Sequence, residues 1–306
     1  MKKSFLASGI FMIKPQHFAF NEETSANNAF QQKSTLSHQE TAQKAIAEFD
    51  SMVSKLRKEG INVVVFEDAK DRVLPDAVFP NNWISTHFEG TIITYPMFAP
   101  NRRKERREDI VQYLESHYNV QRRYSLEMFE DEGQFLEGTG SMVFDHEYKI
   151  IYACLSPRTD VQVLNKISLL LNYEVSYFFA KDKNGMDIYH TNVLMAMGQD
   201  FVICCMDAIQ PDQRESLTKQ FEATNKEIIE LSFEQMNSFA GNMLQLMNSH
   251  GEPVLVMSKT AFDSLTAEQR HRLMLKTKLL DVDIHTIETI GGGSARCMMA
   301  ELYLSN

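Results

Sequence analysis

The amino-acid sequence predicts a mixed α/β fold made of repeated, sequence-diverged modules in a single domain. Short β-branched runs alternate with amphipathic stretches of helical periodicity. Many strand-like runs come in pairs separated by short turns, which is typical of local hairpins rather than of the strict alternation in a doubly wound sheet. No glycine-serine linker, low-complexity segment or break in composition divides the 306 residues. The sequence therefore predicts one domain over residues 1–306.

The first predicted elements are a strand over residues 9–13, a long helix and a second strand over residues 61–66. The opening MKKSFLASGIFMIKP imitates a secretory signal, but Lys14 and Pro15 interrupt the apolar run and no cleavage site follows, which favours a strand. Ser37 and Glu40 have the spacing of a capping box, and apolar residues then recur at helical spacing until Gly60. The run INVVVF that follows predicts a buried strand.

The same pattern continues through the rest of the chain. Helices are predicted over residues 106–118, 161–171, 213–225 and 266–276. Strands are predicted over residues 142–144, 150–154, 174–179, 193–197, 201–205, 227–231, 243–247 and 253–258. Several modules therefore combine paired strands, a helix and a further strand.

Composition and charge disfavour several classes of protein. The chain has 31 Lys and Arg against 41 Asp and Glu, a formal net charge of −10, so its average field repels nucleic acid and anionic membranes. No stretch approaches the roughly 20 apolar residues of a membrane-spanning helix. Cys154, Cys204, Cys205 and Cys297 lack the spacing of a metal site, and no metal is predicted. We interpret them as free thiols of a reducing compartment, the cytoplasm.

The segment GGGSARCM contains the first candidate catalytic residue. Three consecutive glycines allow a close backbone approach or a positive φ, and Cys297 just beyond them is well placed as a nucleophile. The alternative is a glycine turn beside a buried thiol. A phosphate-binding loop is disfavoured because the pattern GxxxxGK[ST] is absent. Arg296 would help a thiolate only if its charge reached Cys297, and it could equally serve as a gate or a carboxylate contact.

Three further segments bring polar groups to turns. A nucleophilic cysteine needs a proton shuttle, and His190 in YHTN is favoured among nine histidines because it lies where a loop enters an apolar strand. Glu137 in FLEGTGS is suited to accept N–H groups of a polar substrate, and a solvated turn acid is the alternative. The segment LPDAVFPNNW surrounds the only tryptophan, Trp83, with prolines and amides, which predicts a rigid, polar-lined loop.

The ordered motifs PDAVFPNNW, EGTG, YHTN and GGGSARCM resemble those of the guanidino-group-modifying superfamily, the pentein fold. That superfamily includes arginine deiminase, dimethylarginine dimethylaminohydrolase, amidinotransferase and succinylarginine dihydrolase. The resemblance extends from the first strand to Cys297 and implies a five-module α/β propeller with pseudo-fivefold symmetry and a central active site. It also implies catalysis by Cys297, His190 and Glu137 without a cofactor.

The resemblance further implies how a small amino-acid substrate is held. Arg158 in SPRT resembles the contact to the substrate α-carboxylate, and Arg102 or Arg103 would assist it. Asp76 resembles the acid that meets the amino-acid end or the guanidino group of the substrate. The sequence leaves the oligomeric state open, a homo-oligomer included.

The amide pair Asn81 and Asn82 departs from the pattern of the deiminases and dimethylarginine hydrolases, which place an aspartate here against a guanidinium. Replacing that carboxylate with an amide forfeits a charge-assisted hydrogen bond worth roughly 1.5–3 kcal/mol. An amide both donates and accepts, which suits a neutral ureido group. The segments PDAVFPNNW and GGGSARCM also resemble the citrulline-utilisation hydrolases. The sequence therefore favours a C–N bond hydrolase that converts citrulline to ornithine, ammonia and carbon dioxide.

Other functions remain open at this point. Hydrolysis of arginine or a substituted arginine is the first alternative, because an amide at position 82 weakens binding of a cation without preventing it. Amidino transfer is the second. A binding or assembly protein on the same fold is the non-enzymatic alternative, although such a protein has no need of the combination Cys297, His190 and Glu137.

Overall fold

The computed structural model describes residues 4–25, 28, 30–69 and 72–305. Within these residues, fifteen strands form five three-stranded sheets. The strands are β1 (Gly9–Lys14), β2 (Asn62–Glu67), β3 (Ile84–His87), β4 (Thr91–Thr94), β5 (Arg122–Ser125), β6 (Val143–Asp145), β7 (Ile150–Cys154), β8 (Glu174–Phe178), β9 (Met195–Met197), β10 (Phe201–Cys204), β11 (Glu227–Glu230), β12 (Leu244–Met247), β13 (Pro253–Ser258), β14 (Lys278–Val282) and β15 (Ala300–Leu302).

Helices connect these strands or lead into them. In the described part of the chain the α-helices are α1 (Glu22–Ser25), α2 (His38–Lys58), α3 (Glu108–His117), α4 (Gly138–Ser141), α5 (Val161–Leu171), α6 (Thr191–Leu194), α7 (Pro211–Ala223), α8 (Phe233–Asn237), α9 (Lys259–Ser264), α10 (Ala267–Met274) and α11 (His285–Gly291). Short 3-10 helices cover Pro80–Asn82, Arg102–Glu105, Glu127–Glu132, Met206–Ala208 and Ala295–Met298.

All five sheets share one plan. Their strand orders are β15-β1-β2, β3-β4-β5, β6-β7-β8, β9-β10-β11 and β12-β13-β14, and each middle strand pairs antiparallel with the first strand named and parallel with the last. A helical crossover joins the two parallel strands of every sheet: α2, α3, α5, α7 or the pair α9 and α10. This plan of paired strands, helix and further strand confirms the predicted mixed α/β fold of repeated modules.

The sheets also meet one another through their first strands. Strand β15 contacts β3, β6 contacts β9, and β9 contacts β12. These contacts fit the five-module ring that the resemblance implies. The pseudo-fivefold propeller and the single domain over residues 1–306 stay predictions.

The long helix α2 illustrates how the local sequence specifies an element. Ser37 accepts a hydrogen bond from the Glu40 backbone N–H, and the Glu40 side chain accepts from the Ser37 N–H, so the predicted capping box is confirmed. Phe49, Met52 and Leu56 recur at helical spacing and are buried against the first sheet and its neighbours. In the part of the chain that the structure describes, neither this helix nor any other is long and apolar enough to cross a bilayer.

The predicted strand over residues 193–197 is wrong in its first half. Thr191–Leu194 form the helical turn α6, and only Met195–Met197 form a strand. The Thr191 hydroxyl accepts from the Cys154 backbone N–H at 2.7 Å and donates to the Ser141 carbonyl at 2.6 Å. These tertiary hydrogen bonds stabilise the turn and override the local β propensity.

Candidate active site

The candidate site is assembled from corresponding places in the five modules. The residues just before the first strand of each sheet fold as a tight turn or a short helix. These segments contain Asn82 before β3, Glu137 before β6, His190 before β9, Asn242 before β12 and Cys297 before β15. The segments contact one another. One residue of each module therefore comes to a common centre.

Cys297 lies in the 3-10 helix that precedes β15, and its side chain is buried. Two side-chain amides donate to its sulfur, Asn192 Nδ2 at 3.3 Å and Asn242 Nδ2 at 3.2 Å. The Cys297 backbone N–H in turn donates to Asn242 Oδ1 at 3.4 Å. The predicted nucleophile is thus held in a defined orientation by neutral donors.

His190 and Glu137 form a buried pair beside this cysteine. His190 Nε2 lies 2.8 Å from Glu137 Oε2, and because a carboxylate only accepts, the imidazole donates through Nε2–H. Burial lowers the pKa of His190 to about 4, although the Glu137 carboxylate opposes that effect. The imidazole is therefore neutral at neutral pH, with Nδ1 unprotonated and able to accept a proton.

Glu137 keeps its negative charge despite complete burial. Burial alone would raise its pKa, but the Arg158 guanidinium, the hydrogen bond from His190 and the charge of Arg102 hold the pKa of Glu137 well below its ordinary range. Arg158 Nη1 lies 3.5 Å from Glu137 Oε2, and the Phe98 backbone N–H donates to Glu137 Oε1 at 3.0 Å. An ionised carboxylate therefore orients the imidazole.

Arg102 is buried and organises a second polar group. Its Nε and Nη2 atoms donate to the Glu105 carboxylate, and Nη1 donates to Asn82 Oδ1 at 2.9 Å. Burial would lower the pKa of Arg102, but the carboxylates of Glu105 and Asp76 hold it above its ordinary value. Asn82 Nδ2 is buried and has no hydrogen-bond partner among the described residues. Arg102 therefore leaves Asn82 with a free N–H donor.

Asp76 lies between Arg102 and the segment that follows β1. Asn21 Nδ2 donates to Asp76 Oδ2 at 2.7 Å, and Arg102 Nε lies 3.7 Å from the same oxygen. Burial raises the pKa of Asp76, against the effect of Arg102 and Asn21. Its second oxygen, Oδ1, is buried and accepts no hydrogen bond from the described residues.

Cys297, His190, Arg102, Asn82 and Asp76 line one small cavity, whereas Glu137 contacts His190 without lining it. A side-chain carbon at Gly140 would clash with Asn82 Nδ2 and lie 2.8 Å from His190 Nδ1, so the free donor and the proton acceptor are close together. The lining residues are Thr24, Asn28, Asp76, Phe79, Asn82, Arg102, Arg158, Tyr189, His190, Gly291, Gly292, Gly293 and Cys297.

Three of the predicted substrate-binding residues lie elsewhere. Asn81 donates to Thr139 Oγ1 at 3.2 Å, and Arg103 donates to the Met97 carbonyl at 3.0 Å with its guanidinium over Phe135. Arg296 pairs with the Glu301 carboxylate at 2.6 Å and with the Met299 carbonyl. None of the three lines the cavity. The structure therefore does not bring these three side chains to the site. Each forms its hydrogen bonds with the partners named above, outside the cavity.

The sequence interpretation missed several residues at the site. Asn192 and Asn242 contact the sulfur of Cys297, and Tyr189 lines the cavity with its hydroxyl donating to the Gly292 carbonyl at 2.9 Å. The sequence does contain a signal for Asn242: the segment AGN directly precedes a predicted strand, as EGTGS and YHTN do. Gly292 has a φ of 65°, which confirms the predicted need for glycine in this turn.

The arrangement can perform nucleophilic substitution at a carbon bound to nitrogen. Cys297 supplies the nucleophile, and the neutral His190 can accept a proton and return it to a leaving nitrogen. The ionised Glu137 orients the imidazole, but it does not line the cavity, so the predicted role of accepting substrate N–H groups is not supported by its position. Among the described residues, no cluster of three His, Cys, Asp or Glu side chains is arranged to hold a metal ion.

Solved structures share this fold at low sequence identity. The N-terminal domain of ArgZ, an arginine dihydrolase from cyanobacteria, has a TM-score of 0.74 at 17% identity, covering 96% of this chain and 97% of that one. AgrE in complex with L-arginine has a TM-score of 0.74 at 15% identity, with 96% and 40% covered. Dimethylarginine hydrolase (DDAH) from Pseudomonas aeruginosa, complexed with citrulline, has a TM-score of 0.68 at 14% identity, with 97% and 100% covered. No curated protein sequence matches the chain.

A sequence model identifies the family. The model described as N,N dimethylarginine dimethylhydrolase, eukaryotic, matches residues 14–304, nearly the whole chain. The match contains every residue that lines the cavity. The solved structures share the mixed α/β fold of five small sheets. The chain therefore belongs to the N,N dimethylarginine dimethylhydrolase family of C–N bond hydrolases, within the pentein guanidino-group-modifying superfamily.

Proposed function

We propose that the protein hydrolyses the ureido group of citrulline through a covalent intermediate on Cys297. The orientation of the Asn82 amide is the observation that carries this proposal. Its Oδ1 is occupied by Arg102, so the group left to meet a substrate is the N–H donor Nδ2. A ureido group has a carbonyl oxygen that accepts from such a donor, whereas a guanidinium has only N–H groups.

The other polar groups of the cavity have complementary roles in this proposal. Arg102 orients Asn82, because its nitrogen atoms already bond to Glu105 and Asn82. Arg158, which lines the cavity with its guanidinium 4.8 Å from the Tyr189 ring, binds the substrate α-carboxylate. Asp76, with a free carboxylate oxygen, binds the α-amino group. The two ends of an amino acid are thus matched by opposite charges.

The proposed reaction has two steps. The sulfur of Cys297 attacks the ureido carbon, its thiol proton passes to His190 Nδ1, and His190 gives that proton to the departing δ-nitrogen as the C–N bond breaks. Ornithine leaves and an S-carbamoyl cysteine remains. Water then attacks the carbamoyl carbon while His190 accepts its proton, and the C–S bond breaks. The carbamate released decomposes to ammonia and carbon dioxide, so no cofactor takes part.

Hydrolysis of arginine or dimethylarginine is the second candidate. The description of the family and the neighbours that bind L-arginine favour it, as does the free oxygen of Asp76, which could pair with a guanidinium. The amide at Asn82 opposes it, because a carboxylate there would add a charge-assisted hydrogen bond worth roughly 1.5–3 kcal/mol to a cation. Amidino transfer is the third candidate.

Steady-state kinetics with citrulline, arginine and dimethylarginine test the order of these candidates. We expect the wild type to turn over citrulline fastest. Asn82→Asp removes the N–H donor, so kcat/KM should fall roughly 10- to 100-fold for citrulline and rise for arginine, in line with one charge-assisted hydrogen bond. Asn81→Asp is the matched control, since this neighbouring amide does not line the cavity and should leave the preference unchanged.

Several results would contradict the proposal. Arginine or dimethylarginine turnover above citrulline turnover by the wild type would establish the second candidate. A new guanidino compound formed after an amine is added would establish the third. Undiminished ureido hydrolysis by Cys297→Ala would rule out the nucleophile. Binding of these amino acids without turnover by the wild type would support a binding protein on the same fold.

A further inference from the structure

Asn242 contacts Cys297 at two points, the sulfur and the backbone N–H. Its Nδ2 donates to the Cys297 sulfur at 3.2 Å, and its Oδ1 accepts from the Cys297 backbone N–H at 3.4 Å. The side chain is 1% exposed. One amide therefore fixes both the backbone and the sulfur of the same residue.

The position of Asn242 depends on a close approach of two modules. A side-chain carbon at Gly241 would clash with the Val193 carbonyl oxygen, so only glycine lets the segment before β12 pack against α6. Asn242 Nδ2 also donates to the Asn192 carbonyl at 3.0 Å, and Asn192 Nδ2 donates to the Cys297 sulfur at 3.3 Å. The fourth and fifth modules thus present two amide donors to one sulfur.

We propose that Asn242, assisted by Asn192, is the positioning residue that orients the Cys297 sulfur for attack and stabilises the thiolate formed when its proton passes to His190. The inference rests on the proposed function only in taking Cys297 as the nucleophile. N–H groups aimed at a sulfur stabilise the anion more than the thiol. A purely structural asparagine would need only its contacts to the backbone of Asn192 and Cys297. The contact to the sulfur is additional to these.

The two amides, rather than the charged and titratable groups of the cavity, donate the hydrogen bonds to the sulfur. Asp76, Arg102, Arg158, Tyr189 and His190 line the same cavity. In the described part of the chain, the hydrogen bonds to the sulfur come from the two amides and from none of these five. His190 is neutral and accepts the thiol proton through Nδ1, so the proton has a destination within the site.

Alkylation by iodoacetamide as a function of pH tests the proposal without any substrate. Burial raises the pKa values of Cys154 and Cys205 to about 12 and about 11, and raises that of Cys204 well above its ordinary value, so these three thiols react little between pH 6 and 9. Peptide mass spectrometry locates the label, and Cys297→Ala gives the background.

Asn242→Asp keeps the shape of the side chain but replaces the donor with a carboxylate. We expect the midpoint of the alkylation profile to rise by about one pH unit or more, with the rate at pH 7 falling about tenfold, as one lost hydrogen bond to an anion predicts. Asn242→Ser, which keeps a small donor, should shift the midpoint less. Asn248→Asp is the control, because Asn248 is equally buried but caps the turn between β12 and β13.

Wild-type alkylation profiles in both Asn242 variants would overturn the proposal, even if citrulline turnover were lost. If Asn242→Asp does not fold, as judged by circular dichroism, an unshifted profile in Asn242→Ser and in Asn242→Ala is the overturning result. A shifted midpoint in an enzyme that prefers arginine would support Asn242 while rejecting the citrulline assignment. The two proposals therefore fail separately.

Discussion

At the residue scale, the pair of His190 and Glu137 decides which nitrogen of the imidazole is available for catalysis. The Glu137 carboxylate receives Nε2–H at 2.8 Å and is itself fixed by Arg158 and the Phe98 N–H. The proton acceptor is therefore Nδ1, which lies near Asn82 Nδ2 beside Gly140. The carboxylate thus acts through the orientation of the imidazole as well as through its charge.

Substitution Glu137→Gln should separate that orienting role from simple packing. The amide has nearly the same size but no charge, so the imidazole is held less firmly and the proton it accepts is stabilised less. We expect kcat to fall about 100-fold or more while KM changes little, which steady-state kinetics would show. Glu130→Gln, at a carboxylate that pairs with Arg106 instead of His190, should keep wild-type kcat. An unchanged kcat in Glu137→Gln would remove the carboxylate from the mechanism.

At the element scale, every module offers the same place for function, the segment before its first strand. The antiparallel pairing of that strand ends there, and the chain turns into the centre where the segments meet. Cys297, His190, Glu137, Asn82 and Asn242 all occupy this place. Modules of diverged sequence can therefore supply five different groups to one centre, and three of them, Asn82, His190 and Cys297, line the cavity.

Gly241→Ala should show how much the site depends on the packing of two such segments. The added methyl group would meet the Val193 carbonyl, so the segment before β12 must move away from α6 and from Cys297. We expect a loss of about 1–3 kcal/mol in the free energy of unfolding and a fall in kcat, measured by urea denaturation and kinetics. Gly9→Ala, whose nearest neighbour is the Asn62 side chain at 3.3 Å, is the control. Equal effects of both substitutions would contradict this account.

Elements with strong local signals were predictable from the sequence. The capping box at Ser37 and the apolar runs Ile150–Cys154 and Pro253–Ser258 are confirmed, because their periodicity and caps specify them without tertiary help. Strands β3, β4, β5, β14 and β15 were not predicted. They are only three to five residues long, and β5 reads RRYS, so sheet pairing rather than local hydrophobicity makes β5 a strand.

The chemistry of the site was predictable in type but not in geometry. Cys297, His190 and Glu137 were identified by motif, and the structure brings all three to one centre. The sequence could not show that Arg103 and Arg296 turn away, since adjacent side chains of a short helix take different directions that tertiary partners select. The contact of Asn242 with a residue 55 positions away lies beyond any local pattern.

At the scale of the whole molecule, the buried His87 and His190 and the half-buried His146 make stability depend on pH. Burial lowers the pKa of His190 to about 4 and the pKa values of His87 and His146 to about 3, against an ordinary value of about 6.5. Below pH 6.5 the unfolded chain takes up protons that the folded protein does not, so each histidine lowers stability as pH falls from 6.5 to its folded value. Asp76 and Glu288, whose pKa values burial raises, act in the opposite direction.

A comparison of variants isolates the histidine contribution. His146→Asn removes one of these three imidazoles. Between pH 7.5 and pH 5, the free energy of unfolding of the variant should therefore decrease by about 2 kcal/mol less than that of the wild type. Urea denaturation at the two pH values measures the difference. His250→Asn, at an exposed turn residue, should follow the wild type. Parallel losses in wild type and His146→Asn would show that His146 is protonated in the folded protein.

The first sheet joins residues from opposite ends of the described chain, since Gly9 pairs with Leu302 and Phe11 with Ala300. Cys297 stands directly before that last strand, whereas Glu137 and His190 belong to modules made much earlier during synthesis. Closing so long a loop costs conformational entropy, and contacts between distant parts of a chain form slowly. We therefore expect the pairing of β15 with β1 to place the reactive sulfur late in folding, so that enzymatic activity returns after the earlier sheets have formed.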